Sequence, residues 1–330
     1  MSIRYYFNNF GMDEDIVENV KSELNNIKSY GTFIGEKNNS IYYEFYKVKN
    51  EKKSIVISHG FTECIEKYIE IIYYFIKENY SVFIMEHRGH GRSGALGVVD
   101  KTQINVEDFN YYIKDFKDFI DNIVLKVCSN ELILFSHSMG GAIGLMFLEK
   151  YPNYFNKAII SSPLLSLGVT KIPNFIVRAM ARYQIFIGKG GNFILGNMPY
   201  ESTYNFTIAS TSNESRYSYY YHEILNNNTI QRGGGSYRWL YECLSGVKYI
   251  LKNKNIQRIK ARLLVFQSGR DDLVGKSGIR KFIKKCDKAK LIKFDEAKHE
   301  IYLENNNILE EYLNTIFSFI NKKEISSEYL

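Results

Sequence analysis

The chain alternates short apolar runs with segments of helical periodicity, and this rhythm constrains its fold more than any other feature. Apolar runs lie at residues 54–58, 81–86, 131–135, 157–161, 262–267 and 290–294. Apolar residues at helical spacing predict helices over residues 65–78, 106–127, 139–150 and 301–320. Strands that alternate with helices build a mostly parallel sheet flanked by helices, so we predict an α/β fold. Residues 30–35 and 41–48 predict an antiparallel pair at its edge.

The rhythm stops after about residue 163 and resumes near residue 245. We therefore predict a catalytic domain formed by residues 1–164 and 245–330, with residues 165–244 inserted as a cap or lid. In open α/β sheets, ligands bind at the carboxyl edge of the strands, which the insertion would cover. Its glycine clusters at 188–191 and 233–235 match no phosphate-binding pattern, and we interpret them as hinges or tight turns.

Composition limits the class of protein and its compartment. The 330 residues are 45% hydrophobic, enough for a large core without disulfides or metal. The net charge is +7 with both signs interleaved, which predicts no nucleic-acid partner. Residues 1–9 lack a signal-peptide core, no apolar run is long enough to span a bilayer, and four scattered cysteines indicate reduced thiols. These features favour a cytoplasmic protein, with or without peripheral attachment to a membrane.

The sequence FSHSMGG at residues 135–141 lies between a predicted strand and a predicted helix. A nucleophile elbow needs this context, together with small residues two positions before and after the serine. Ser136 and Gly140 are both small, although Ser136 replaces the glycine usual at the first position. Ser138 is therefore the candidate nucleophile, and the alternative is an ordinary strand-to-helix turn.

A serine nucleophile needs a base and an acid that orients it, and after a strand–serine–helix elbow these follow along the chain as Asp or Glu and then His. His299 follows the strand at 290–294 and is the only histidine after the insertion. In SGRDDLV at 268–274, Asp271 is favoured because it lies three residues before Val274, and Asp272 is the alternative. In HGFTE at 59–63, the N–H of Phe61 could form an oxyanion hole with that of Met139, or the motif is a plain glycine turn.

The remaining histidines form no pattern typical of a metal site. No H-E-x-x-H sequence is present, and the loop EHRGHGRSG at 86–94 matches no phosphate-binding fingerprint. We therefore predict no metal and no cofactor. These histidines are interpreted as structural or surface residues: His59, His87, His90, His137 and His222.

Together these motifs resemble the α/β-hydrolase superfamily, and within it the branch of monoacylglycerol lipases and bacterial lysophospholipases. The matching pieces are HGFTE, EHRGHGRSG, SHSMGG, SGRDDLV and AKHEI at 297–301, with RGGGSYRW at 232–239 similar to the end of the lid in lysophospholipases. The resemblance spans roughly residues 30–320 and implies a serine ester hydrolase. It also implies a set of roles: nucleophile Ser138, base His299, acid Asp271, and oxyanion donors Phe61 and Met139. Ser136 and Glu86 depart from the usual Gly and Asp, and neither departure affects the reaction.

The predicted substrate is a single-chain lipid ester, a lysophospholipid or a monoacylglycerol. The alternatives are a soluble carboxylesterase or thioesterase with small acyl substrates, and an acyltransferase or non-enzymatic relative. Residues 171–189 place apolar side chains at helical spacing, interrupted by Arg178, Arg182 and Lys189. This stripe could lie on an anionic membrane as a peripheral contact of the cap, or pack down as lid core. The 27 Tyr and 22 Phe against one Trp reflect either AT-rich coding or an aromatic surface for lipid.

Overall fold

A computed structural model describes residues 10–11, 13–128, 130–170 and 172–322. Residues 1–9, on which the absence of a signal peptide was predicted, lie outside the described part, as does Lys171 in the amphipathic stripe. Among the described helices, none is long and apolar enough to cross a membrane.

The described strands form one eight-stranded sheet in the order β1-β2-β4-β3-β5-β6-β7-β8. The strand β2 pairs antiparallel with both β1 and β4, and all other pairs are parallel. The predicted mostly parallel sheet with an antiparallel edge is therefore confirmed. The bounds are β1 Lys28–Ile34, β2 Ser40–Tyr46, β3 Lys53–Ser58, β4 Tyr80–Met85, β5 Leu132–His137, β6 Lys157–Ser161, β7 Arg262–Ser268 and β8 Ala289–Phe294.

Helices cover both faces of the sheet. The described α-helices are α1 Glu14–Asn25, α2 Ile69–Lys77, α3 Asn110–Phe119, α4 Ser138–Lys150, α5 Asn174–Phe186, α6 Glu214–Leu225, α7 Tyr237–Ile250, α8 Asn253–Ile256, α9 Lys276–Ile283 and α10 Asn306–Asn321. A π turn at Ile120–Val124 and a last turn at Leu125–Val127 extend α3. Short 3-10 turns at Ile65–Tyr68 and Ile301–Leu303 precede α2 and α10.

The alternation of side chains along each strand divides the core into two layers. Val56 and Phe83 point to the layer that contains α3, α4, α7 and α9. Their neighbours Ile55 and Val82 point to the layer that contains α1, α2 and α10. Because both faces are buried, the central strands are apolar throughout, which is why the sequence shows them as continuous apolar runs.

Three helix boundaries differ from the prediction. The α-helix predicted from residue 65 begins at Ile69, after a 3-10 turn. The helix predicted from residue 106 begins at Asn110, because the Asp108 carboxylate accepts the N–H of Asn110 at 2.8 Å and ends the preceding loop. The helix predicted over 301–320 is broken after Leu303, and α10 starts only at Asn306. The apolar spacing continues past the ends of these helices, so periodicity alone did not reveal where they begin.

Residues 165–244, the predicted insertion, lie between β6 and β7 and contain α5, α6 and most of α7. The helix α7 runs through residue 244 without a break, and its inner side is part of the main core. The helix α6 is tied to the sheet domain by Arg216, which donates to both oxygens of Glu70 at 2.7 and 2.8 Å. Both side chains are buried, and Lys21 of α1 adds an ion pair with Glu223 at 2.6 Å.

One buried charge-bearing group gives a stability prediction. Glu149 near the end of α4 is 1% exposed, and neither carboxylate oxygen is hydrogen-bonded to a described residue. Burial raises the pKa of Glu149 to about 9, although Arg258 and Lys150 act in the opposite direction. The folded state therefore keeps this proton above pH 4.5 while the unfolded state loses it, so stability is full below that pH and falls as pH rises toward 9. The slope is at most about 1.4 kcal/mol per pH unit.

Glu149→Gln removes this titration. We expect the variant to be clearly more stable than the wild type at pH 8 and nearly equal to it at pH 5, measured by urea unfolding. Glu107→Gln, at an exposed position, is the matched control and should not change the pH dependence. An equal stability difference at both pH values would contradict the prediction.

Candidate active site

Ser138 lies where β5 ends and α4 begins, at the predicted elbow. Its φ is +53°, in the left-handed region that costs a non-glycine residue about 1–2 kcal/mol. The turn is held because the Ser138 carbonyl accepts the N–H of Leu164 at 2.9 Å. Strain of this kind persists only where the surrounding structure enforces it, and here it directs Ser138 away from the strand.

Ser136, which replaces the usual glycine, fits without strain. Its φ is not in the left-handed region, so the position makes no special demand on the backbone. Space for its side chain comes from Gly144 on the facing turn of α4, where an added Cβ would lie 3.1 Å from Ser136 Oγ. Gly144, six residues after the candidate nucleophile Ser138, therefore leaves room for a serine at position 136.

His299 and Asp271 are directly hydrogen-bonded. His299 Nδ1 donates to Asp271 Oδ2 at 2.7 Å. The other oxygen, Oδ1, accepts the N–H groups of Leu273 at 2.9 Å and Val274 at 2.8 Å. Burial opposes the charged form, but the bonds from His299 and from these two N–H groups lower the pKa of Asp271 below its ordinary value. Asp272, the alternative acid, is exposed on the same loop.

The hydrogen bond to Asp271 fixes the protonation pattern of His299. Because a carboxylate only accepts, Nδ1 carries a proton, and in the neutral form of the ring the lone pair is on Nε2. His299 is 3% exposed, and its ring packs against that of His137 with centroids 4.7 Å apart. Since His137 directly precedes Ser138, His299 lies against the residue next to the candidate nucleophile.

The two candidate oxyanion donors, Phe61 and Met139, lie in turns that are close to each other in space. Gly140, in the first turn of α4, lies so close to the end of β3 that an added Cβ would be 2.1 Å from the Ser58 carbonyl oxygen. Thr62 has a φ of +60° and turns the chain sharply after Phe61. Neither the N–H of Phe61 nor that of Met139 donates to another residue within the described ranges. An oxyanion hole requires two N–H groups that are free in this way.

A buried carboxylate that the sequence analysis did not identify lies behind His299. Glu63 accepts hydrogen bonds from the hydroxyls of Tyr68 at 2.6 Å and Tyr302 at 2.9 Å. It also lies 3.3 Å from Nδ1 of His137, whose Nε2 is 3.4 Å from the carbonyl oxygen of His299. His137 thus connects the Glu63 carboxylate to the backbone of the loop that holds the base.

The charge on Glu63 is stabilised locally. Burial opposes ionisation, but Lys67 at 3.2 Å and His137 hold the pKa of Glu63 well below its usual range. Lys67 also pairs with Glu300, the residue after His299, at 2.5 Å. The only sequence signal for this cluster was a charged residue in the motif HGFTE, which does not indicate its partners.

The histidine His59 has the structural role that the sequence predicted. Its Nδ1 donates to the Gly60 carbonyl and its Nε2 accepts the N–H of His87, both at 2.8 Å. Burial lowers the pKa of His59 to about 4, so the ring is neutral at pH 7. Both nitrogens are used to hold the loop, which leaves neither for acid–base chemistry.

The glycine-rich loop at 86–94 is a set of tight turns. Gly89, Gly91 and Gly94 all have φ between +49° and +87°, which side chains rarely adopt. The guanidinium of Arg232, at the start of RGGGSYRW, donates to the carbonyls of Gly89 at 2.9 Å and Gly94 at 3.1 Å. A few residues later, the Trp239 ring packs on Phe61 with centroids 4.2 Å apart. The end of the predicted insertion is thus bound to the loop at 86–94 and to the motif HGFTE.

Residues 49–306 match the family Hydrolase_4, described as serine aminopeptidase, S33. The chain belongs to this family. Relatives of this Hydrolase_4 chain include the probable lysophospholipase L2 of Haemophilus influenzae, which is 25% identical over 273 residues, 82% of this chain and 84% of that protein. The human monoglyceride lipase is 24% identical over 286 residues, 85% of each chain.

Solved structures resemble the whole Hydrolase_4 chain. A soluble variant of monoglyceride lipase from Saccharomyces cerevisiae, in complex with a substrate analog, has a TM-score of 0.70 at 20% identity and covers 89% of this chain and 94% of that one. A carboxyl esterase from Bacillus coagulans has a TM-score of 0.70 at 16% identity, with 89% and 98% covered. At these identities the likeness shows the fold, and the predicted α/β-hydrolase fold is confirmed. The family and its relatives also confirm the predicted enzyme class, an ester hydrolase.

Proposed function

We propose that the protein is a serine hydrolase that cleaves carboxylic esters of single-chain lipids through an acyl-enzyme. The observation that supports this best is the chain of contacts from Asp271 to His299 and on to the neighbour of the strained Ser138. The relatives named as lysophospholipase and monoglyceride lipase support the class of substrate.

In the proposed reaction, His299 Nε2 removes the hydroxyl proton of Ser138 as Oγ attacks the ester carbonyl. The negative charge that forms on the carbonyl oxygen is stabilised by the N–H groups of Phe61 and Met139. The imidazolium is stabilised by Asp271 and gives its proton to the departing alcohol. Water, activated by His299, then releases the fatty acid and restores Ser138.

A lipid substrate is favoured by the surface of α5. Of its side chains only Ala181 is buried, whereas Phe175 is 69% and Phe186 is 85% exposed. The predicted apolar stripe therefore does not pack down as lid core. We propose that residues 165–244 form a lid and that α5 is its lipid-facing part.

Two tyrosines of α6 pack against other parts of the chain and do not form an aromatic surface for lipid. Tyr219 packs on Phe10, and the Tyr220 ring lies under the ammonium of Lys67 at 4.7 Å. These two tyrosines anchor α6 to the sheet domain, whereas Tyr217 and Tyr221 pack on Tyr204 within residues 165–244. The four cysteines are unpaired, which supports a proposed cytoplasmic location with peripheral membrane contact through the lid.

Chain-length profiling tests the proposal. We expect kcat/KM on p-nitrophenyl esters to rise from acetate to medium and long acyl chains, and fatty acid to be released from monoolein or lysophosphatidylcholine. Amino-acid p-nitroanilides serve as the control for peptidase activity and should not be cleaved. A preference for acetate or butyrate without fatty-acid release would favour a small-substrate esterase or thioesterase. A product that depends on an added acceptor would favour an acyltransferase.

A further inference from the structure

The positive charge of the chain is concentrated in one stretch. Residues 248–298 contain 16 Lys and Arg against 5 Asp and Glu, a net charge of +11. The whole chain has a net charge of only +7, so the remainder is net negative. The interleaving of signs inferred from the sequence therefore fails in this stretch, which we call the basic segment.

The basic side chains of this segment are not ion-paired. Elsewhere, many Lys and Arg side chains have carboxylate partners, such as Arg88 with Asp115 at 2.6 Å and Lys53 with Glu131. Within residues 248–298, all of which the structure describes, no Lys or Arg has a carboxylate oxygen of a described residue within 4.0 Å. Unpaired charges of one sign produce a positive potential that attracts an anionic partner.

The helix α9 concentrates this charge on one side. Its buried side contributes Ile279 and Phe282 to the core, and the opposite side is exposed. The exposed basic residues on α9 and directly after it are Arg280, Lys281, Lys284 and Lys285.

A groove joins this basic side to the exposed apolar helix of the proposed lid. The groove has a volume of about 640 Å³ and lies between α5, α7 and α9. Phe175 and Arg178 of α5 form one wall, and Lys248 and Lys281 lie on the opposite elements. Its floor is apolar, with Leu244 among the lining residues. Cations and apolar side chains thus face the same opening.

This combination fits an anionic phospholipid bilayer better than it fits a nucleic acid. Lys and Arg side chains bind anionic headgroups, while neighbouring apolar side chains enter the acyl region. A nucleic acid would be attracted by the same charge, but the exposed apolar surface of α5 would gain nothing from a phosphate backbone.

We propose that the basic segment, centred on α9, is an electrostatic docking surface for anionic phospholipid bilayers. This surface lies in the sheet domain and binds anionic headgroups, whereas the apolar side chains of α5 enter the acyl region. The proposal that the lid faces lipid rests on the proposed function. Binding to a bilayer itself requires no catalysis.

Vesicle co-sedimentation of the full chain tests this surface. We expect binding to mixed phosphatidylglycerol–phosphatidylcholine vesicles, much weaker binding to pure phosphatidylcholine vesicles, and loss of the difference at high salt. The triple variant Arg280→Gln, Lys281→Gln, Lys284→Gln should lower the partition coefficient by roughly tenfold to a hundredfold. The control Lys49→Gln, Lys52→Gln, Lys126→Gln removes the same charge from exposed positions outside the segment and should bind like the wild type.

Three results would overturn the proposal: equal binding to both kinds of vesicle, equal losses in the two triple variants, or tighter binding to duplex DNA that the α9 variant abolishes. Circular dichroism confirms that each variant is folded. Because sedimentation does not depend on turnover, it separates the two proposals. A chain that hydrolyses long-chain esters but ignores anionic vesicles would refute only the docking surface.

Discussion

Ser138→Ala should lower kcat on p-nitrophenyl esters by about 10⁴–10⁶-fold while leaving the protein folded. The alanine keeps the Cβ and therefore the φ of +53°, so the strained turn is unchanged and only Oγ is lost. Without that oxygen His299 has no proton to accept and no acyl-enzyme forms. Initial rates at saturating substrate, together with a thermal melt, provide the measurement.

The matched control is Ser136→Ala, two residues earlier in the same motif. Ser136 is buried against Gly144 and donates only a long hydrogen bond, 3.4 Å, to the Ile159 carbonyl. We expect its kcat to stay within a few-fold of the wild type. Turnover by Ser138→Ala at the wild-type rate would exclude Ser138 as the nucleophile, and a similar loss in both variants would indicate a structural effect.

Asp271→Asn should lower kcat by about 10⁴-fold with little change in the fold. The carboxylate accepts the Nδ1 proton of His299 at 2.7 Å, and in the proposed mechanism it stabilises the imidazolium that forms during attack. An amide has no charge to offer, and its NH₂ group would favour the wrong tautomer of the ring. The measurement is kcat of the variant and of the wild type at pH values from 5 to 9.

The neighbouring Asp272→Asn is the internal control for this substitution. Its carboxylate is exposed and has no hydrogen bond to His299, so we expect activity close to that of the wild type. The pair of variants carries the same chemical change at adjacent positions. A greater loss in Asp272→Asn than in Asp271→Asn would reverse the assignment of the acid.

Features that depend on local sequence were predictable. Apolar runs located every strand of the parallel sheet, because buried strands must be apolar on both faces. The spacing of Asp271 from Val274 also has a local cause, since the Asp271 carboxylate accepts the N–H of Val274 at 2.8 Å. Short-range hydrogen bonds of this kind leave a direct trace in the sequence.

Features that depend on long-range contacts were not predictable. The partners of Glu63 include Tyr302, 239 residues away, and no periodicity connects them. The apolar stripe of α5 fitted both an exposed and a packed helix, and only the position of the neighbouring elements showed that it is exposed. The start of α3 at Asn110 was missed because the Asp108 cap was not distinguished from the apolar spacing around it.

The buried pair of Arg216 and Glu70 limits how residues 165–244 could be exchanged between relatives. Arg216 belongs to the exchanged segment, whereas Glu70 remains in α2 of the recipient. A chimera that receives a segment without this arginine would retain a buried, unpaired carboxylate, which typically destabilises a protein by about 3–5 kcal/mol. Replacing residues 165–244 by the equivalent segment of a relative that lacks this arginine therefore requires a matching substitution at Glu70, far from Ser138 in the sequence.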